Sequence, residues 1–209
     1  MASNTIENNV YGINIVRGTL DAVPSVLALL DAAVEWLVSR DRAGQWGTSP
    51  FSENPKREEQ VREFVTAGHG LWLAVEVPND TSIVGDTQLS QVMKGEVLGV
   101  IVGALALGER SPYVPPVSEP ELYVRLLVTD RRCAGKHIGK RLLDHAYDLA
   151  RKEGVSLLRV DCYAGGDGKL IQYYESQGFD RVEILNGEGD WPCQVLAQRL
   201  DDMKREESC

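Results

Sequence analysis

The densest chemistry in the sequence lies in TDRRCAGKHIGKRLL (129–143). Arg131, Arg132, Lys136, Lys140 and Arg141 crowd the point where an apolar strand ends and a helix starts, with Gly135 and Gly139 among them. A helix start leaves its first amides without intrahelical acceptors, and its dipole favours an anion there. Cations at that end are misplaced for stability alone, by about 0.3–1 kcal/mol each when exposed. A bound polyanion would neutralise them, and Gly135 would let the backbone approach it with no Cβ in the way. These residue types at this spacing point to a cradle for phosphates.

No second constellation competes with it. His69, His137 and His145 form no triad with a nucleophile, and His145 falls mid-helix as a structural residue. Cys133, Cys162, Cys193 and Cys209 are far apart and form no C-x-x-C pair, so neither a metal site nor a disulfide framework is expected. Free thiols suit a reducing, cytoplasmic setting. Cys162 beside Asp161 is a conceivable covalent nucleophile, although a buried structural cysteine is the commoner case.

The elements that must position these groups follow from periodicity and turn signals. Strands are expected at 11–17, 69–77, 96–108, 121–130, 156–164, 179–185 and 192–200. Helices are expected at 21–40, capped by Asp21 with Pro24 in the first turn, and at 56–68, 135–154 and 168–178. Residues 43–55 and the proline-rich 109–120 read as loops, and 78–95 as an excursion between strands. The charged tail 201–209 reads as flexible. The order β α α β β β α β α β β describes one domain, 1–209, with a mixed α/β (α+β) sheet and helices on its faces.

The chain has 209 residues, 43% apolar and 25% charged, as a soluble globular protein does. No apolar run approaches a membrane span, and the polar N-terminus lacks a secretory layout. A net charge of −9 argues against nucleic acid and anionic membrane as partners and is compatible with a cationic amine. Monomer and homodimer both remain open.

Ala134, Gly135, Lys136, His137, Ile138 and Gly139 resemble the pyrophosphate-binding turn of the GNAT superfamily of acyl-CoA-dependent N-acyltransferases. That turn is commonly Gln/Arg-x-x-Gly-x-Gly/Ala between the fourth strand and a long helix. Here Ala134 stands where Gln or Arg is usual, and His137 replaces the first of the spaced glycines. YVRLLVTD (123–130) resembles the family's fourth strand, which splays from its neighbour at a bulge. DCYAGGDGKLIQYYESQGF (161–179) resembles its later motif, in which Tyr174-Glu175-Ser176-Gln177-Gly178-Phe179 matches an aromatic-Tyr-Glu-x-x-Gly-Phe signature. Three motifs in the right order are far more specific than one glycine pattern.

The resemblance implies a small bacterial-type, single-domain member with a mostly antiparallel seven-stranded sheet, splayed at strand 4, and about four helices. It implies acetyl-CoA as co-substrate, no metal, and direct attack by an amine of a small molecule. Leu127, Val128 and Thr129 would offer amides to the pantetheine arm. Arg132, Ala134, Gly135, Lys136, His137, Ile138, Gly139 and Lys140 would hold the diphosphate, and Asp167 falls where the family often has a pantetheine-contacting Asn. Tyr174 would be the general acid, and Tyr173 would pack in the core with its hydroxyl satisfied. For the base, Glu121, Glu119 and water-mediated deprotonation all stand. Trp46, Tyr113 and Tyr123 would face the acceptor, with aromatic and acidic groups suiting a cation. Two other readings remain: an acyl-CoA-binding regulatory or scaffold protein, favoured by Ala134 and His137, and a peptide or protein N-acetyltransferase.

Overall fold

The apolar run ending at Gly108 is the spine of the sheet. In the computed structural model, which describes residues 11–66, 68–78, 91–94, 97–187, 189 and 191–200, this run forms β4 (Val97–Gly108). β2 (Leu71–Pro78) and β5 (Glu121–Thr129) pair antiparallel with it. The remaining strands are β1 (Tyr11–Arg17), β6 (Leu157–Tyr163), β7 (Asp180–Asn186) and β8 (Pro192–Arg199). The row runs β1-β2-β4-β5-β6-β8-β7, the expected seven strands, mostly antiparallel. An eighth, β3 (Gln91–Lys94), pairs with the start of β4. It lies within 78–95, which the sequence marked only as an excursion between two strands. So short a strand shows no period in the sequence, and pairing with its neighbour defines it. Residues 79–90, 95 and 96, and the tail 201–209, lie outside the described residues.

Helices α1 (Val23–Val38) and α2 (Pro55–Thr66) cover one face, and α3 (Ile138–Lys152) and α4 (Lys169–Ser176) the other. The pleat of β2 sorts the two cores. Leu71, Leu73 and Val75 pack with α1 and α2, whereas Trp72 and Ala74 join the cluster under α3. α1 buries Val26, Leu27, Leu30, Ala33, Val34 and Leu37, as its spacing predicts. Asp21 does not cap it. It sits in a 3-10 turn, Leu20–Ala22, and Ala22 precedes the helix with no side-chain cap. Asn54 opens α2 by accepting the Lys56 amide at 3.0 Å. α3 starts at Ile138, later than expected. Gly135 (φ 87°) and His137 (φ 54°) are both left-handed, a conformation that a right-handed helix cannot contain.

The feature that makes a site is a split in the sheet. β5 and β6 pair in parallel only from Glu121↔Leu157 to Val124↔Val160, and then part. The next residue, Arg125, is extra in the β4–β5 ladder, whose register jumps between Ala106↔Leu126 and Leu107↔Val124. Such a bulge bends its strand away from the neighbour. β5 is thus the splayed strand expected from the sequence, the fourth once the short β3 is set aside.

Candidate active site

The coenzyme end of the split is built from backbone. The Asp130 amide donates to Val102 O at 2.9 Å, opposite it in the ladder. Antiparallel alternation then turns the amides of Val128 and Leu126 toward β4 and those of Leu127 and Thr129 away from it, into the split. This removes Val128 from the expected row of three open amides. Beyond β5, the turn consumes four more donors, beginning with the Arg132 amide, 2.9 Å from Asp130 Oδ1, and the Cys133 amide, 3.0 Å from Asp130 O. The Ala134 amide bonds Arg131 O at 3.3 Å and the Lys136 amide bonds Cys133 O at 3.2 Å. Ile138, Gly139 and Lys140 form the first turn of α3, whose amides have no intrahelical acceptor. The hollow therefore lies at the helix start rather than along the whole motif.

His137 does not plug it. Its side chain is exposed, and its backbone takes the left-handed conformation that a glycine would adopt there. A Cβ on Gly139 would collide with the Tyr173 hydroxyl, so any larger residue beneath this turn must displace that ring. That hydroxyl is buried without a hydrogen-bond partner, contrary to the expectation that it is satisfied, and burial pushes its pKa up to about 12. The cations are not bare either. Lys136 pairs with Glu76, Lys140 with Asp144 at 2.7 Å, and Arg132 with Asp130 at 2.6 Å. Arg131 lies over the Trp36 ring at 4.2 Å.

The acceptor end is built from side chains. A cavity of about 410 Å³ opens between the arms of the split, under α1 and α2. Val124, Arg125, Leu126 and Leu127 all touch it. A flat strand would present every second residue to one side, and the bulge permits four in a row. Trp46 lines the cavity, edge-on to Phe51 at 5.5 Å, and its carbonyl accepts from Arg57 at 3.0 Å. Tyr113 lines it from the proline-rich loop, and its hydroxyl donates to Asp161 at 2.8 Å. Tyr123 reaches the same carboxylate at 2.8 Å but is fully buried beneath it, among Val114, Cys193 and Val195, and does not line the cavity. It supports the site and does not face the acceptor.

Tyr174 lines the cavity from α4, and burial holds its phenol well above the usual range. Cys162 is also on the wall, with its thiol pushed up to about 12 by burial and then by Asp161. A thiol so disposed is protonated at neutral pH and is a poor covalent nucleophile.

The family model for the GNAT acetyltransferases matches residues 32–179. The chain belongs to the GNAT family. Solved structures that share its fold include yncA of Salmonella typhimurium with acetyl-CoA, at 16% identity and TM-score 0.57, covering 94% of this chain and 99% of that one. PaiA N-acetyltransferase of Thermoplasma acidophilum, in complex with coenzyme A, has 13% identity and TM-score 0.57 over 90% and 99%. Ribosomal-protein-alanine N-acetyltransferase of Brucella melitensis has 20% identity and TM-score 0.52 over 89% and 99%. Among curated proteins none matches the sequence.

Three residues expected to act at this GNAT site are engaged elsewhere. Glu121 sits at the closed end of the split, bonded to Arg159 at 2.9 Å and near Arg110 at 3.9 Å. Arg159 is 2% exposed, and removing one partner of such a buried pair costs about 3–5 kcal/mol. Glu121 is therefore structural and not a base. Glu119 is occupied by Arg199 at 2.6 Å, which lowers its pKa. Asp167 is exposed and pairs with Arg42 and, at 3.0 Å, with Lys169. Those pairs lower its pKa, chiefly through Lys169, and tie the α4 start to the loop after α1.

The residues missed in the sequence are Asp161, Arg57, Arg125 and Trp191. Trp191 donates to the carbonyls of Gly44 at 3.2 Å and Gln45 at 3.1 Å, bracing the loop that carries Trp46. The adjacency of Asp161 to Cys162 was visible; its two phenol donors come from distant strands and loops and were not. Coenzyme A fits this site. The orphaned Tyr173 hydroxyl, the glycine packed against it and the open first-turn amides all lie together at the α3 start. Among the described residues no group of three His, Cys, Asp or Glu is placed to hold a metal ion, and no helix is long and apolar enough to cross a membrane.

Proposed function

We propose that the protein is an N-acyltransferase that moves an acyl group, from acetyl-CoA, to an amine of a small molecule. The observation that carries this reading is the split itself. Open amides of β5 and the α3 start lead into one cavity whose wall joins Tyr174 and Asp161. The thioester supplies an activated acyl carbon and a sulfur leaving group. As the N–C bond forms and the C–S bond breaks, one proton must reach sulfur and one must be released. Leu127 N–H, turned into the split, is the backbone donor suited to charge developing on the acyl oxygen. Asp161 is the only carboxylate among the described residues that line the cavity, and it is the group suited to hold the amine and take its proton.

Tyr174 serves the sulfur. A thiol ionises near 8.5 and an ordinary phenol near 10. On those values complete proton transfer from a phenol to a thiolate runs uphill. The hydroxyl therefore stabilises sulfur as a hydrogen-bond donor, and the proton that finally stays there comes from the attacking nitrogen.

A small acceptor is favoured over a peptide because the proline-rich loop is pinned over the cavity. Ser111 and Val114 are buried, and Tyr113 is tied to Asp161. The volume suits a compact ligand. Cys133, Cys162 and Cys193 are free thiols, in keeping with a cytoplasmic setting. The test is thiol release from acetyl-CoA across a broad amine panel. Release with at least one small amine is expected. Tight coenzyme binding with no release from any amine or peptide would instead establish the scaffold reading.

A further inference from the structure

The cavity carries the wrong charge for a simple cationic acceptor. Among the described residues, the charged groups on its wall are Arg57, Arg125 and Asp161, two cations against one anion, in a chain whose net charge is −9. The cations share one neighbourhood. The Arg57 guanidinium lies over the Phe51 ring at 4.1 Å and that of Arg125 beside Phe64 at 5.9 Å, and both rings belong to the core under α1 and α2. Asp161 stands on β6, in the other arm of the split, held by Tyr113 and Tyr123.

The two guanidiniums are also under-used. Arg57 donates from Nη2 to Trp46 O at 3.0 Å, and its Nη1 is buried with no partner. Arg125 donates from Nη1 to Glu109 O at 2.8 Å. Among the described residues neither is paired with a carboxylate, whereas Arg62, Arg132, Arg159, Arg181 and Arg199 all are. A buried unpaired donor on a charged group is costly, and a bidentate carboxylate is the partner whose geometry a guanidinium matches. Arg125 owes its place to the bulge, so the same irregularity that opens the split delivers a cation to the cavity.

We infer that the acceptor is a compact zwitterion of the amino-acid kind, with its amine at Asp161 and its carboxylate at Arg57 and Arg125. This rests on the transferase reading above and names its substrate class. Arg57 and Arg125 set specificity, and Asp161 serves the reacting nitrogen. A plain amine would leave both cations unsatisfied, and a dicarboxylate lacking an amine would leave Asp161 facing like charge.

The experiment pairs each of a panel of amino acids with its own carboxamide and with the amine lacking the carboxylate. Binding to the coenzyme A-loaded protein is measured by calorimetry, and thiol release from acetyl-CoA is measured in parallel. At least one acid is expected to bind about tenfold or more tighter than its amide. Arg125→Gln should raise KM for that acid about tenfold, leave kcat within about threefold, and abolish the preference over the amide, with Arg125→Lys restoring part of it. Arg57→Gln should do the same, although it also releases the Trp46 carbonyl. Unchanged coenzyme affinity verifies that each variant is folded. Acids that bind in an Arg-dependent way without thiol release would uphold the zwitterion-binding site but overturn both its role as acceptor site and the transferase reading. Amides or plain amines reacting as well as the acids would overturn the inference and leave the transferase standing. No binding and no release from any compound would overturn both.

Discussion

At the coenzyme end of the split the ligand-facing groups are backbone amides, from Leu127, Thr129 and the first turn of α3. They need no particular side chain and only a local conformation. At the acceptor end they are side chains from α2, the proline-rich loop, β5, β6 and α4, brought to one cavity from far apart in the chain. The coenzyme end is local in sequence and the acceptor end is not. The first can stay the same while the second changes, because a diphosphate asks the same thing of every member of such a family and an acceptor does not.

The comparison predicts that the two ends break separately. Asp161→Asn should have the largest effect, lowering kcat/KM by about a hundredfold or more with coenzyme affinity within about twofold. Tyr113 and Tyr123 donate to different oxygens of Asp161; Asn keeps an acceptor for one phenol and offers its amide N–H to the oxygen of the other, so the fold should survive. Steady-state kinetics beside coenzyme calorimetry reads this, and an equal loss in both would join the two ends. Gly135→Asp attacks the other end. At φ 87° an L-residue costs about 1–3 kcal/mol, and the added charge faces the α3 amides. Coenzyme affinity should fall about tenfold or more while acceptor binding persists, and unchanged affinity would remove the cradle. Tyr174→Phe should lower kcat about tenfold with little change in either dissociation constant. A loss of coenzyme affinity instead would move Tyr174 from chemistry to binding. The smallest effect belongs to Glu76→Gln, which removes the carboxylate charge paired with Lys136 beside the turn. Coenzyme binding should tighten about two- to fivefold at low salt and less at high salt. Weaker binding would mean that Glu76 orders the turn and does not merely mask its charge.

The same contrast explains what could be read in advance. The seven strands, four helices and three motifs are patterns within short stretches, and β5 with its bulge fell where the family's fourth strand does. The carboxylate was misplaced for a physical reason. Glu121 is on the right strand, but Arg159 stands two residues beyond its register partner Leu157 on the adjoining strand, and a buried guanidinium captures the nearest acid. Asp161 was passed over because its standing depends on Tyr113 and Tyr123, and Arg125 because nothing local announces an extra residue in a ladder. The cationic turn was read correctly as a cluster but not as paired, since Glu76 lies far upstream.

The sequence alone determined the order of elements, the glycine-punctuated helix start and the tyrosine of α4, because each depends on residues within a few positions of one another. Only the tertiary structure decided which side chains share the acceptor cavity, which carboxylate is free to act and what sign of charge the acceptor meets. Those depend on strand register, on a single bulge and on ion pairs between distant segments, and none of these is encoded in any one stretch of chain.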